Sequence, residues 1–201
     1  MRTAAATDPV TADAFGAMFE QVFESAGSSD AALSVGIMQS PVGTLMLAAS
    51  ESALCSLEFV DAESLESQLR LLRRQHTARP AFRTNAVIDR ARSQLDAYFA
   101  GELESFDVPL SYAGTAFQKR VWAALCEIGY AQTWSYLQLA QRVGDVGATR
   151  AVGMANGANP IAILIPCHRV VNASGELGGY GGGVWRKRIL LDLEKGQTQL
   201  F

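Results

Sequence analysis

Apolar residues recur on two different periods along this 201-residue chain, and the change of period divides it. Between 34 and 60 they come in short runs broken by turn residues: Val35-Gly36-Ile37-Met38, then Pro41-Val42-Gly43, then Leu45-Met46-Leu47-Ala48, then Leu54 to Phe59. That spacing predicts three strands. Asp61 is placed to cap a helix running to about Gln75, and Asn85 a second one through Ala100, stopped by Gly101. Phe106 to Leu110 reads as an extended connector. Ahead of the strands, Phe15, Met18, Phe19, Val22 and Phe23 recur at helical spacing. They predict a short helix in a 1–33 tail that ends on the linker Gly27-Ser28-Ser29-Asp30.

From Gly114 the period becomes helical. Thr115 can cap a helix whose Phe117, Val121, Trp122, Leu125 and Ile128 form one apolar stripe, with Cys126 expected inside it as inert core. Ser135 can cap Tyr136–Val143, Gly144-Asp145-Val146-Gly147 can turn, and Ala148–Gly157 can form the next helix. Two short helices across such a turn have the pattern of a helix-turn-helix, although any helical hairpin gives the same pattern. The expected architecture is an α/β N-terminal domain (34–110) and a mainly α C-terminal domain (111–201) containing a helix-turn-helix.

Composition narrows the setting. No apolar run approaches the roughly 18 residues that span a bilayer. Met1 to Asp13 lacks the apolar core of a signal peptide. Cys55, Cys126 and Cys167 are odd in number and far apart, which argues against a disulfide framework and for a cytoplasmic location. With His76 the one histidine besides His168, no zinc site of ordinary spacing can be drawn.

The net charge of −3 hides an asymmetry: residues 1–113 carry −7 and residues 114–201 carry +4. A basic C-terminal half suits phosphate contact if the charges share a face, and scatter is the other reading. The helix at Ala148–Gly157 is lined by Gly147, Ala148, Ala151, Gly153, Ala155 and Gly157. Base-edge reading in the major groove calls for Arg, Asn or Gln. Small residues allow close approach without reading sequence, or tight packing against another helix.

Pro166-Cys167-His168-Arg169-Val170 follows the apolar run Ile161–Ile165. A thiol becomes a strong nucleophile as its thiolate, which needs a base or an electropositive setting. Neighbouring side chains diverge on strands and helices, so Cys167 and His168 cooperate only if the chain turns there. Taken alone, the dipeptide also fits a core cysteine.

The surrounding segments are more specific. Gly114-Thr115-Ala116-Phe117-Gln118, Val121-Trp122, Ser135-Tyr136, Arg150-Ala151-Val152-Gly153, Asn159-Pro160, Ile165 to Val170 and Gly178-Gly179-Tyr180 stand in register, followed by Arg186-Lys187-Arg188 and a helix bearing Glu194. In this the chain resembles the O6-alkylguanine-DNA alkyltransferase family.

The resemblance implies DNA repair by irreversible, single-turnover transfer of an alkyl group from guanine O6, and from thymine O4, to Cys167. It makes His168 the proton acceptor, Glu194 its orienting partner and Asn159 the hinge beside the nucleophile. It assigns DNA contact to Arg150, Tyr136, Ala148, Thr149, Ala151 and Gly153, with Arg150 filling the space of an extruded base. The base pocket falls to Tyr136, Val170, Tyr180 and Gly181. No cofactor is implied, since the protein itself accepts the group. The implied partner is double-stranded DNA with alkylated bases, met by a monomer able to cluster on DNA, with no membrane role.

The chain departs from the family pattern at Gly181, Ala162, Gly129 and Ala131, where relatives often have Ser, Pro, Pro and Gly. Two rivals are weighed: a Cys–His hydrolase with turnover, against which the bare helix with Arg150 argues, and a DNA-binding regulator, of which Cys167 excludes the thiol-less form but not one with added repair activity.

Overall fold

The computed structural model describes residues 9–24, 33–75 and 80–196; the 27–30 linker and His76 lie outside them. The chain forms two compact units, one of residues up to Ala97 plus Asp107–Ser111, the other of Tyr98–Phe106 and everything from Tyr112.

The first unit is built on a four-stranded sheet. Strands β1 (Ser34–Ser40), β2 (Gly43–Ala49) and β3 (Leu54–Val60) run antiparallel, and the two-residue β4 (Ala81–Phe82) joins β1 in parallel, giving the order β3-β2-β1-β4. The β1–β2 hairpin turns at Pro41-Val42, and Gly43 closes it at φ 92°, a conformation that disfavours any side chain.

Alternation sends Met46 and Ala48 to one face, where Val35, helix α1 (Ala12–Phe23) and helix α2 (Leu65–Gln75) complete a core with Phe15, Phe19, Val22, Phe23, Leu65, Leu69 and Leu72. Helix α3 (Ala86–Phe99) covers the other face, with Ile88 and Arg92 against Gly36, and Arg92 donating to the Ile37 carbonyl at 2.7 Å. α1 is stitched to the sheet as well as packed on it: the Val10 amide donates to Thr44 at 3.0 Å, and Gln39 donates to the Val10 carbonyl at 2.8 Å.

One cap differs from the sequence expectation. Asp61 opens a turn instead of a helix, its carbonyl taking the Ser64 amide at 3.0 Å, and α2 starts at Leu65. Asn85 does cap α3, accepting the Ile88 amide at 2.9 Å.

In the second unit, helix α4 (Ala116–Leu125) opens with a reciprocal cap between Thr115 and Gln118. Trp122 is buried and donates its indole N–H to the Ala155 carbonyl at 2.8 Å. Cys126 is the C-cap of α4 and is exposed, so it is not the core residue its helical position suggested.

Helix α5 (Tyr136–Arg142) carries the same kind of reciprocal cap, from Ser135 and Gln138. Gly144 at φ 83° begins the turn to helix α6 (Thr149–Gly157), and Ala148 belongs to the 3-10 turn Val146–Ala148 that precedes it. β5 (Trp134–Ser135) pairs in parallel with β6 (Val170–Val171), a small sheet with no sequence signal, and helix α7 (Val184–Glu194) is the last element among the described residues. Among the described residues no helix is long and apolar enough to cross a membrane.

Candidate active site

The run Ile161–Ile165 is a buried turn and not a strand. Its amides fold back, Leu164 to the Ala162 carbonyl at 2.8 Å and Ile165 to the Ile161 carbonyl at 3.0 Å. Ile163 sits at φ 70°, a region that a β-branched residue enters only under tertiary constraint. Cys167–Arg169 then form one 3-10 turn, which separates the three side chains by about a third of a revolution each. Cys167, His168 and Arg169 therefore take different surroundings within one buried stretch.

Cys167 is 6% exposed. Asn159 donates its amide N–H both to the Cys167 sulfur at 3.0 Å and to the Ile165 carbonyl at 2.8 Å, and accepts the Ile161 amide at 3.0 Å. The Tyr180 hydroxyl bonds to the same sulfur. Burial pushes the Cys167 thiol up, against the pull of Asn159, Tyr180 and the Lys187 charge. The sulfur therefore rests as a thiol at neutral pH and must lose its proton in order to react.

His168 is fully buried, and its Nε2 lies 2.8 Å from Glu194 Oε1. Nδ1 has no protein partner among the described residues. Burial pulls the imidazole down, as do the Arg169 and Lys187 charges, while Glu194 opposes them. Burial would raise the Glu194 carboxyl, but His168 and Arg169 outweigh it and hold the group at about 2. A carboxylate so firmly ionised fixes the tautomer: Nε2 keeps its proton for Glu194, and the Nδ1 lone pair stays open to accept one.

Five donor groups converge on Glu194. Besides His168 they are Tyr98 O–H at 2.8 Å, the Ala131 amide at 3.1 Å, and Arg169 through Nε at 2.9 Å and Nη2 at 2.9 Å. Arg169 spends its remaining reach on the Ile128 carbonyl at 2.6 Å. Ala131 can donate because it adopts φ 59°, the left-handed region that glycine enters more freely.

Lys187 is also fully buried and donates to the carbonyls of Val170 at 2.6 Å, Leu177, and Gly179 at 3.5 Å, pinning the glycine-rich loop to β6. Burial lowers its ammonium to about 8, offset by the Cys167 charge.

The structure gathers Cys167, His168, Glu194, Asn159 and Tyr180 into one cluster. Tyr136 belongs beside it, half-buried, with its hydroxyl held up by burial and by the nearby Cys167 charge, and its ring lies against Gly153. Val170 is fully buried and Gly181 is exposed. Ala148 and Thr149 are half-buried at the start of α6, while Arg150 and Ala151 stand exposed.

The sequence reading gave no role to Arg169, Lys187 or Tyr98. Arg169 was legible as part of the Pro-Cys-His-Arg-Val run. Lys187 looked like one of three basic surface residues, whereas Arg186 and Lys187 are both buried. The basic charges thus do not share one face: of the nine in 114–201, Arg169, Arg186 and Lys187 are internal, and Arg142 pairs with Glu127 at 2.6 Å. Tyr98 had no sequence signal at all.

Together these features define a class of protein by its geometry: a buried cysteine held by an asparagine and a tyrosine, next in sequence to a buried histidine–carboxylate–guanidinium array, on a small helical unit. Two family descriptions divide the chain between them, the ribonuclease-like domain of 6-O-methylguanine DNA methyltransferase over residues 33–112 and the DNA binding domain of the same protein over 116–196. The chain belongs to the 6-O-methylguanine DNA methyltransferase family.

The methylated-DNA–protein-cysteine methyltransferase of Mycobacterium leprae is 51% identical over 161 residues, covering 80% of this chain and 92% of the relative. The crystal structure of Mycobacterium tuberculosis O6-methylguanine methyltransferase aligns with a TM-score of 0.69 at 48% identity, over 84% of this chain and 96% of that one. A crystal structure of Mycobacterium tuberculosis OGT in complex with DNA aligns as well, at 0.69 and 48%, over 83% and 96%.

Proposed function

We propose that the protein repairs DNA by taking the alkyl group from O6-alkylguanine, and from O4-alkylthymine, onto the sulfur of its own Cys167. The observation that carries this reading is the Cys167–Asn159 contact set above the buried His168–Glu194–Arg169 array.

The step is an in-line displacement at the alkyl carbon. A sulfur–carbon bond forms, the carbon–O6 bond breaks, and the thiol proton passes to His168 Nδ1, directly or through one water. The leaving guanine recovers a proton, so the net exchange is thiol plus alkylguanine for thioether plus guanine. Tyr136 O–H and a backbone N–H of the Tyr180–Gly181 loop donate to the purine as charge builds on it. Asn159 and Tyr180 do the same for the sulfur as its proton leaves. His168 must be neutral to accept that proton, and its burial beside Arg169 and Lys187 keeps it so. No cofactor enters, and the thioether is a dead end, so each chain reacts once.

The same reading makes residues 34–110 a scaffold and 111–201 the working domain, with α5 and α6 as a helix-turn-helix. The atom under attack is inside the duplex, so the base must be extruded at a cost of a few kcal/mol. Arg150 fills the gap, and Ala148, Thr149, Ala151 and Gly153 let the backbone come close to the minor groove. The protein works in the cytoplasm as a monomer that clusters on DNA.

Intact-protein mass spectrometry after incubation with an O6-methylguanine duplex tests the reading. One methyl group per chain, mapped to Cys167, is the expected result. Turnover beyond one equivalent would favour a hydrolase, and labelling at Cys55 or Cys126 would place the chemistry elsewhere. Tight preference for one undamaged sequence would favour a regulator.

A further inference from the structure

The exposed face of α6 is bare except for two long side chains. Its buried face is made by Val152, Ala155 and Asn156. On the opposite side stand Arg150, Ala151, Met154 and Gly157, all exposed. Met154 is one helical turn beyond Arg150, so the two side chains are neighbours on that face. At 70% exposure Met154 is the most exposed large apolar residue among those described. α6 carries no carboxylate, and Arg150 enters no ion pair among the described residues.

We propose that Met154 is a second DNA-contacting side chain, an apolar one that lies along the minor groove beside Arg150. This rests on the reading of α6 as the DNA-facing helix.

The other exposed residues of α6 are Ala151 and Gly157, so a surface that approaches this face of the helix meets Arg150 and Met154 first. The occupant must therefore suit a cation and a flexible apolar chain side by side. A minor groove does so: phosphates and base acceptors attract the guanidinium, while the sugar walls offer C–H surface. Methionine suits irregular surfaces because it is unbranched, has three rotatable bonds and carries a polarisable sulfur. Minor-groove proteins also use methionine among the apolar side chains that wedge base steps and kink the duplex. In this protein such a wedge would help open the stack at the point where Arg150 enters. It would add affinity without sequence preference, and that part of the affinity would resist salt, because burying a thioether releases no counterions.

Binding of an O6-methylguanine duplex in a Cys167→Ala background, where no transfer intervenes, tests this by fluorescence anisotropy over a range of salt. Met154→Ala is expected to weaken binding by about five- to tenfold, corresponding to partial burial of the side chain. Met154→Leu should restore binding to within about twofold of the native side chain, and Met154→Gln, of similar length, should behave as Ala does, since apolar character is what counts. The slope of log affinity against log salt should be unchanged by all three, whereas Arg150→Ala lowers it by about one.

Unchanged affinity in Met154→Ala, with Arg150→Ala still weakened, overturns the inference and leaves the DNA face in place. So does a change in self-association with DNA binding intact, which assigns Met154 to a contact between copies. If Arg150→Ala also alters neither affinity nor slope, α6 does not face DNA, and the inference fails together with the reading beneath it.

Discussion

The turn around Cys167 and the helix α6 stand close together in sequence and are built on opposite terms. Every residue from Ile161 to Val170 is buried, Cys167, His168 and Arg169 have named side-chain partners while His168 Nδ1 stays open, and one residue, Ile163, adopts a backbone conformation that packing must enforce. α6 buries only Val152, Ala155 and Asn156 and presents small side chains, one cation and one thioether. On the function proposed above, the difference separates two physical problems. Chemistry on a thiol needs fixed proton acceptors and a dry electrostatic setting, which only a packed interior provides. Meeting any DNA sequence needs a thin surface with few demands. The two meet at Asn156, which holds the Cys167 carbonyl at 3.4 Å from α6, and at Tyr136, whose ring lies on Gly153.

Substitutions that respect this division should give separable outcomes. The largest effect belongs to the buried side. Glu194→Gln removes the charge that fixes the His168 tautomer and stabilises imidazolium. It should slow transfer by about a hundredfold or more, with duplex and with free O6-benzylguanine alike, as read by stopped-time adduct formation. A loss confined to duplex would break the comparison.

Arg169→Met leaves the Glu194 charge buried without its guanidinium. Urea unfolding should report a loss of about 3–5 kcal/mol, where a surface pair such as Arg142–Glu127 would lose about 1 kcal/mol or less.

Acid should act through the same carboxylate. Glu194 is held at about 2 in the folded chain against an ordinary 4.5. Its depressed value contributes stability that is complete above pH 4.5 and lost as pH falls from 4.5 towards 2. Unfolding curves of the native chain and Glu194→Gln should therefore converge across that window. Parallel curves would place the acid sensitivity elsewhere.

On the exposed side, Arg150→Ala should leave stability within about 0.5 kcal/mol. It should slow duplex repair more than reaction with the free base, because only the duplex must be unstacked. Equal slowing with both would mean that Arg150 supports the pocket instead. The smallest effect expected is at Ala131, where glycine removes the strain of φ 59° while keeping the amide that donates to Glu194. Ala131→Gly should gain about 1 kcal/mol at most in thermal or urea unfolding, with repair unchanged.

What could be read in the sequence was mostly local. Strands β1 to β3 follow from turn residues between apolar runs, and the caps at Thr115 and Ser135 are each decided within four residues. The positions Cys167, His168 and Glu194 stand in the family motifs, and the structure adds that Cys167 and His168 lie on one buried 3-10 turn with His168 against Glu194. Long-range partners were not legible. Tyr98 reaches Glu194 across 96 positions with nothing in its own helix to announce it. Arg186 and Lys187 look like surface charge until carbonyl partners are known. Met154 interrupts a run of small residues, and only its exposure shows that it faces outward.

Helix α1 has a consequence for where this protein begins as a folding unit. The family match starts at residue 33, yet Phe15, Phe19, Val22 and Phe23 are as deeply buried as the sheet itself. A homology boundary and a stability boundary have come apart. Each of the three aromatic rings contributes about 3–5 kcal/mol by the usual cost of truncating one to alanine. A chain cut at the edge of its recognised domains would thus leave Val35, Met46, Ala48 and Leu69 facing water, and would be prone to associate through that face. Helix α1, outside the shared domains, is in folding terms part of the core.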